Sequence, residues 1–338
     1  MKTFNFLTMN PSRATPVFPI PTPEVKATNT GMRTFCQWEG IAVSRSLAVA
    51  AAWCACLQVV PLSVSLLAAD GAPATPARAG LTLSFDQPHW LVIGGPNVPG
   101  REIRINYLEA YCRAGSTDAD WSRHTVIPHR VELISLAKDR KTLSLRDTLA
   151  DGVTVEHTIT AKDDEVDFKL VSRNPGKTRS EAHWAQPCVR LADFTGYNPR
   201  GADLDDYLPK CFIFLNGKLA LFPEIKPWAK QARYTPGQVW CPKNVPRSDV
   251  NPRPLSPLVP DNGLIGAFSA DGKTLFATAW EPYQELFQGV ARCLHSDLRL
   301  GGLQPNETRH IRGKIYIVTN DVPALLARYQ NDFPEHFR

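Results

Sequence analysis

Polar and apolar residues alternate in short runs through most of the chain after residue 80. Successive side chains of a β-strand point to opposite faces, so such alternation predicts strands with one buried face. The spacing between the runs favours antiparallel hairpins. The clearest runs are Arg101–Leu108, Arg130–Leu136, Thr142–Leu145, Val153–Thr160, Val166–Val171, Cys211–Leu215, Leu264–Phe268, Leu275–Ala279 and Arg312–Val318.

Turn-forming residues separate many of these runs. Asp151-Gly152, Asn216-Gly217 and Asp271-Gly272 are pairs that favour tight hairpin turns. One helix is predicted near the end of the sequence, where Asp321 can cap it and Pro323 suits its first turn. We therefore predict an all-β fold, a large antiparallel two-sheet sandwich with a short C-terminal helix.

Residues 222–262 interrupt the alternation. Proline, asparagine and arginine are frequent there. A long segment without a regular pattern is often functional in a folded domain. Its aromatic residues Trp228, Tyr234 and Trp240 favour an ordered structure, so we predict that the segment forms one wall of a binding face.

The first eighty residues differ in character from the rest. Residues 1–31 are rich in Pro, Thr and Asn and are predicted to be a disordered leader. Residues 32–69 join a basic start to an apolar run that ends in small residues, which is the pattern of a cleaved signal peptide. An uncleaved membrane anchor is the alternative. Residues 70–80 are predicted to be a linker, and residues 81–338 a β-sandwich domain.

A cleaved signal predicts a secreted protein, or one of the periplasm or cell envelope, with a mature amino terminus near Asp70. The chain has 38 basic and 33 acidic residues and a formal net charge of +5. Without residues 1–69, 33 basic and 31 acidic residues remain. A nearly balanced domain gives no electrostatic reason to expect nucleic acid as a partner, and we expect no membrane contact after signal removal.

The segment from Cys293 to Val318 resembles the last strands of the galactose-mutarotase-like supersandwich. It contains Pro305-Asn-Glu-Thr308, a Pro-x-Glu-Thr turn before a final strand and helix. The domain as a whole also resembles uncharacterised secreted proteins of planctomycete-type bacteria. The resemblance implies a supersandwich-like fold whose concave face binds carbohydrate. No motif matches the catalytic His and Glu of the mutarotases to positions here, and proteins of this fold have several functions.

The stretch Ser180–Gly196 is dense in side chains that suit a polar ligand. A strand from Ala182 to Arg190 places Trp184, Gln186, Cys188 and Arg190 on one face. Tryptophan stacks on sugar rings, and Gln and Arg bind hydroxyl groups. His183 in the same stretch is a candidate catalytic residue.

Two further stretches carry titratable groups. Glu281 lies between Trp280 and Tyr283, and an apolar neighbourhood raises the pKa of a carboxylic acid, as glycoside chemistry requires. His295 shares a strand face with Asp297, which can orient the imidazole. The structural alternatives are a solvated loop acid and a polar cluster at a sheet edge.

The resulting site prediction has two parts. We predict catalytic roles for Glu281, His295 and His183. We predict ligand contacts from Trp184, Gln186, Arg190, Trp280, Tyr283, Arg299 and Trp240.

Cofactor motifs are absent from the sequence. It contains no Gly-x-Ser-x-Gly, P-loop or dinucleotide fingerprint, and our preferred interpretation includes neither a cofactor nor a metal. Five cysteines follow the signal segment, which allows up to two disulfides in an oxidising compartment.

These features predict an exported carbohydrate-binding or carbohydrate-active protein with a concave glycan-binding face. A glycan-active hydrolase, lyase or epimerase is the enzymatic form. One alternative is a non-catalytic binding module of the cell envelope. The other is a metal-dependent enzyme that uses His124, His129 and His157, although no His-x-His or His-Glu-x-x-His spacing occurs.

Overall fold

The computed structural model of the chain describes residues 80–115, 121–197, 207–226, 238–249, 255–289 and 292–337. Residues 1–79 lie outside this range, and with them the predicted leader, the signal segment and most of the linker. Trp228 and Tyr234 also lie outside it. Among the helices of the described residues, none has the length and apolarity needed to cross a bilayer.

Two antiparallel sheets form the described part of the chain. The first has eight strands: β1 (Thr82–Asp86), β2 (Trp90–Gly94), β3 (Glu102–Arg113), β4 (Val126–Ile127), β9 (Ala182–Arg190), β12 (Val239–Trp240), β15 (Tyr283–Gly289) and β16 (Cys293–Arg299). The second has nine: β5 (His129–Leu136), β6 (Thr142–Leu149), β7 (Thr154–Ala161), β8 (Glu165–Arg173), β10 (Cys211–Leu215), β11 (Lys218–Leu221), β13 (Ile265–Phe268), β14 (Thr274–Glu281) and β17 (Thr308–Thr319).

The strand order shows how distant segments become neighbours. In the first sheet the order is β1-β2-β3-β9-β16-β15-β12, with β4 paired to β3. In the second it is β11-β10-β13-β14-β17-β8-β7-β6-β5. The nine alternating runs of the sequence correspond to strands, and the predicted all-β sandwich is confirmed.

One apolar core lies between the two sheets. Leu91, Val189 and Leu294 contribute to it from the first sheet, and Phe168 and Ile315 from the second. These residues occupy alternate positions of their strands, so the opposite face of each strand points away from this core. The face of the first sheet that points away carries most of the polar side chains discussed below.

Short helices complete the fold: α1 (Trp121–His124), α2 (Ala192–Thr195) and α3 (Val322–Asp332), with 3₁₀ turns at Arg247–Asp249 and Pro334–Phe337 among others. Helix α3 begins at the predicted place, since the Asp321 carboxylate accepts the N–H of Ala324 at 3.0 Å. Its apolar face packs Leu325 and Tyr329 on the outer face of the second sheet. This packing brings the 3₁₀ turn Pro334–Phe337 to the end of β14.

The β10–β11 hairpin shows how turn residues position Asp261, which lines the cleft described below. Asn216 and Gly217 have φ angles of 55° and 75°, the left-handed pair that a two-residue hairpin requires. Their N–H groups donate to the Asp261 carboxylate at 3.0 and 2.7 Å. The turn therefore holds Asp261 in a fixed orientation.

Candidate functional site

The three predicted catalytic residues lie in three different clusters. Glu281 ends β14 in the second sheet, His295 is in the middle of β16 in the first sheet, and His183 is near the start of β9. We call their surroundings the Glu281 cleft, the His295 cluster and the Asp249 cluster. Each cluster has its own hydrogen-bond network.

The Glu281 cleft has a volume of about 570 Å³. Its wall combines charged, amide and aromatic side chains from β14, β15, the 3₁₀ turn after α3 and two loops. It is lined by Pro242, Lys243, Asn244, Val259, Pro260, Asp261, Asn262, Glu281, Pro282, Tyr283, Glu335 and His336. A cleft of this size suits a small organic molecule.

A chain of hydrogen bonds leads from the cleft into the protein. Glu281 Oε2 lies 2.7 Å from Nε2 of His336, and Nδ1 of His336 bonds to the hydroxyl of Tyr329. That hydroxyl accepts the N–H of Gly263 at 2.9 Å and can direct its own proton at Nδ1. In this arrangement Nε2 of His336 carries a proton and donates it to Glu281.

The burial of Tyr329 supports this placement of the protons. Burial raises the pKa of Tyr329 well above the usual value, so the phenol keeps its proton and remains a donor. Gly263 allows the close packing behind the pair, because a Cβ there would lie 3.0 Å from the Tyr283 ring and 3.1 Å from His336. The Tyr283 ring contacts the His336 ring edge-on, with centroids 5.3 Å apart.

Two other carboxylates line the cleft, and both are already engaged. Glu335 is paired with Arg312. Burial would raise the pKa of Glu335, but Arg312 outweighs it and the pKa is lowered. Asp261 accepts the two backbone N–H groups described above. Glu281 is different, because it is hydrogen-bonded to the His336 imidazole, where Glu335 has an arginine and Asp261 has backbone N–H groups, and its side chain is 31% exposed. It is the carboxylate of the cleft that is best placed for proton transfer.

The His295 cluster is buried on the outward face of the first sheet. His295 Nδ1 lies 3.2 Å from the Asp297 carboxylate, which also accepts the Gln186 amide at 2.9 Å. The other ring nitrogen, Nε2, is 3.3 Å from the sulfur of Cys293. Cys188 on β9 adds a second sulfur. The Phe287 ring stacks on the imidazole at a centroid distance of 4.2 Å.

Strong electrostatic coupling follows from this burial. A hydrogen bond from Cys188 lowers the pKa of Cys293 well below the usual value, with a further contribution from His295. Burial lowers the pKa of His295, but Cys293 and Asp297 outweigh it and raise that pKa well above its usual value. Burial raises the pKa of Asp297 to about 6.

The Asp249 cluster joins residues at the other end of the same sheet. Arg299 donates to the Asp249 carboxylate at 3.1 Å and to the side chain of Gln284. His183 Nδ1 is 3.7 Å from the same carboxylate, and burial lowers the pKa of His183. The 3₁₀ turn Arg247–Asp249 is thus fixed to β16 by the Arg299–Asp249 ion pair and to β15 by the Gln284 amide, which donates to the Asp249 carbonyl at 3.3 Å.

The predicted ligand-binding strands are neighbours in the first sheet. The register pairs Arg190 with Cys293 and Trp184 with Arg299, so β9 and β16 present their polar residues on one face, as their alternation predicts. β15 lies next to β16. The structure therefore brings together the stretches Ala182–Arg190 and Tyr283–Arg299, but Trp280 belongs to the other sheet.

The predicted tryptophans are in apolar environments. Trp184 packs with Cys112, Trp121 and Val126 in a small cluster beside α1. Trp240 and Trp280 belong to the main core, where they contact Phe222 and Phe168 respectively. The structure thus assigns all three to packing, and a ligand on the protein surface would not reach them.

The remaining predicted contacts have separate partners. Gln186 holds Asp297 and Arg299 holds Asp249. The Arg190 guanidinium lies over the Trp90 ring at 5.7 Å. Tyr283 lines the Glu281 cleft. Glu281 and Tyr283 are therefore the predicted residues that meet at a cleft.

The three histidines of the metal hypothesis do not form one cluster. His157 is buried in the core, with Nε2 3.2 Å from Asp147 and Nδ1 2.9 Å from the Tyr107 hydroxyl. His129 packs against His89 and Tyr111, and His124 is exposed on α1. Among the described residues, the group that satisfies the geometry of a metal site is a different one, Cys188, Cys293 and His295.

The cysteines of the described range are free thiols where the sequence allowed up to two disulfides. All five are buried: Cys112, Cys188, Cys211, Cys241 and Cys293.

Sequence reasoning missed the partner of Glu281. His336 lies 55 positions later, after α3, and no motif links the two residues. It also missed Asp249 and the proximity of the Cys188 and Cys293 side chains. The available signals were the position of His336 just after the predicted helix and the shared strand face of Cys293 and His295.

No protein-family model matches the chain, and no curated protein matches it. Solved structures with a similar fold include a galactose mutarotase related enzyme from Lactobacillus acidophilus, with 8% identity, a TM-score of 0.35 and coverage of 71% of this chain and 99% of that chain. A galactose mutarotase-like protein from Lactobacillus casei ATCC 334 has 9% identity, a TM-score of 0.35 and coverage of 70% and 100%.

A protein from Synechocystis sp. PCC 6803 has 11% identity, a TM-score of 0.38 and coverage of 74% of this chain and 99% of that chain. Likeness at these identities and TM-scores identifies neither a ligand nor a reaction.

Proposed function

We propose that the protein binds a carbohydrate in the Glu281 cleft and that Glu281 transfers a proton to and from it. One observation carries the proposal. Glu281 is a partly exposed carboxylate that accepts a hydrogen bond from the Nε2–H group of His336, in a cleft of about 570 Å³. Because Tyr329 fixes the tautomer of His336, the carboxylate is held in one orientation.

The cleft wall has the chemistry that a sugar requires. Asn244 and Asn262 offer amide donors and acceptors for hydroxyl groups, and Lys243 adds a cationic donor. Tyr283 offers an aromatic edge at the same wall. A carbohydrate presents many hydroxyl groups and apolar C–H faces, so a mixed wall of this kind suits it better than a purely apolar ligand.

Interconversion of sugar anomers is the simplest reaction that this arrangement supports. A base removes the proton of the C1 hydroxyl, the C1–O5 bond breaks as a carbonyl forms, and an acid protonates O5. Ring closure on the other face of the carbonyl reverses these steps, so atoms and protons balance without a cofactor. We assign Glu281 as the base, His336 as the residue that positions it, and Lys243 as a donor to O5.

Replacing Glu281 by glutamine tests the proposal. The amide keeps the shape of the side chain but cannot accept a proton, and acid–base catalysis typically contributes about 10²–10⁴-fold in rate. We expect Glu281→Gln to slow anomer exchange of a bound aldose at least about 10²-fold, measured by exchange NMR over a panel of reducing sugars. Affinity in calorimetric titration should change little.

The matched control is Glu224→Gln, in an exposed 3₁₀ turn outside the cleft, which should behave as wild type. A Glu281→Gln protein with wild-type exchange and wild-type affinity would contradict the proposal. Tight sugar binding without exchange in the wild type would reject the proton transfer and leave a binding module, the non-catalytic alternative.

A further inference from the structure

We propose that Cys188, Cys293 and His295 form a binding site for a divalent transition metal ion of the zinc class, a site separate from the Glu281 cleft. The donor atoms of the three side chains lie within 4.8 Å of one another. All three residues are buried, with relative exposures of at most 2%. Thiolate and imidazole are the preferred ligands of zinc in proteins.

Strand geometry builds this donor set. Cys293 and His295 are two positions apart on β16, so their side chains lie on the same face. The register pairs Leu294 with Val189, which makes Cys188 on β9 the neighbour of His295 on that face. Two adjacent strands of a sheet are rigid supports for ligands, because their spacing is fixed by backbone hydrogen bonds.

The observed spacing fits tetrahedral coordination. Bond lengths of about 2.3 Å to sulfur and about 2.0–2.1 Å to nitrogen place neighbouring ligand atoms roughly 3.5 Å apart at a tetrahedral angle. The Cys293 sulfur lies 3.3 Å from His295 Nε2. An ion between these atoms and the Cys188 sulfur would need only small side-chain adjustments.

The surroundings of His295 resemble those of a metal ligand. Histidine ligands usually donate the second ring nitrogen to a carboxylate, which fixes the tautomer and the ring orientation. Here Asp297 accepts at Nδ1 and is itself held by Gln186. Nε2, the nitrogen directed at the sulfurs, is thereby left as the coordinating atom.

Glu109 is positioned to complete the coordination. Its Oε1 lies 3.9 Å from His295 Nε2, and Asn106 donates to its other oxygen at 3.1 Å. The Glu109 side chain is 26% exposed. With Glu109 the ion would have four protein ligands, two sulfurs, one nitrogen and one oxygen, which is the usual coordination number of zinc.

Cobalt binding to the full-length protein, purified under reducing conditions, tests the proposal. We expect the wild type to bind about one equivalent of Co²⁺, with the near-ultraviolet charge-transfer absorption of thiolate ligands and the visible bands of tetrahedral cobalt. Zinc should displace the cobalt and raise the melting temperature. Cys188→Ser and Cys293→Ser should each weaken binding at least about 10-fold, as the loss of a soft ligand requires.

Cys211→Ser is the matched control, since Cys211 is equally buried but lies on β10 of the other sheet. It should bind cobalt as the wild type does, and so should Glu281→Gln, which separates this proposal from the function of the cleft. Absence of stoichiometric cobalt or zinc binding by the reduced wild type would overturn the proposal whether or not the variants fold. A Cys188–Cys293 disulfide that persists in the reduced preparation, detected by mass spectrometry, would also overturn it.

Discussion

Replacing Trp280 by alanine is expected to lower the free energy of unfolding by about 3–5 kcal/mol, as for other large-to-small changes of buried aromatics. The indole is 2% exposed and packs on the Phe168 ring at a centroid distance of 5.1 Å. Gly313 on β17 makes room for it, because a Cβ at that position would overlap the indole ring. Alanine would leave a cavity that this rigid pair of strands cannot close.

Equilibrium denaturation monitored by circular dichroism measures this loss, and Trp280→Phe is the control that retains most of the ring contact and should lose less stability. Carbohydrate affinity of the folded Trp280→Ala protein should stay close to wild type. The opposite result, a wild-type denaturation midpoint with lost affinity, would show that Trp280 contacts the ligand and would contradict its assignment to the core.

Replacing Asp147 by alanine is expected to cost about 1–3 kcal/mol for each buried polar group that loses its partner, namely the Tyr111 hydroxyl and the His157 ring. Asp147 is 1% exposed. It accepts the Tyr111 hydroxyl at 2.5 Å and lies 3.2 Å from His157. Since Tyr111 belongs to the first sheet and His157 to the second, the carboxylate links the two sheets through the core.

The pH dependence of this effect has a definite sign. Burial would raise the pKa of Asp147, but His157 and Tyr111 outweigh it, and the folded-state pKa lies below the usual 3.8. The carboxylate therefore stabilises the fold above pH 3.8, and this contribution is lost as the pH falls through the lowered pKa. Urea denaturation of wild type and Asp147→Ala at pH 7 and at acid pH should show the difference shrinking.

The control for Asp147 is Asp163→Ala, at an exposed turn position, which should change stability by less than about 0.5 kcal/mol. A loss below about 1 kcal/mol in Asp147→Ala at pH 7 would show that the core network is not a stabilising link.

Alternation predicted the strands because the two-residue period is a local property of the backbone. It also placed Cys293, His295 and Asp297 on one face of a strand. It could not decide which face of a strand points into the core. That depends on the sheet packed opposite, which is why Trp280 was predicted on a ligand surface and lies inside.

Contacts between residues that are distant in the sequence could not be predicted for a similar reason. Glu281 was predicted as a catalytic acid, but its partner His336 reaches it only because α3 packs on the second sheet. Trp184 was predicted to face a ligand, and its side chain does point away from the main core. There it is covered by residues of α1 and β4, which no local pattern connects to β9.

Histidine side-chain NMR during a sugar titration tests whether carbohydrate binds in the Glu281 cleft. The protein would be labelled at the imidazole rings and titrated with the aldose that binds most tightly in the panel. We predict that the ring signals of His336 shift with saturation, while those of His295, His183 and His157 remain in place. Saturating shifts of His183 or His295 with an unchanged His336 would place the ligand on the first sheet and contradict the Glu281 cleft as the site.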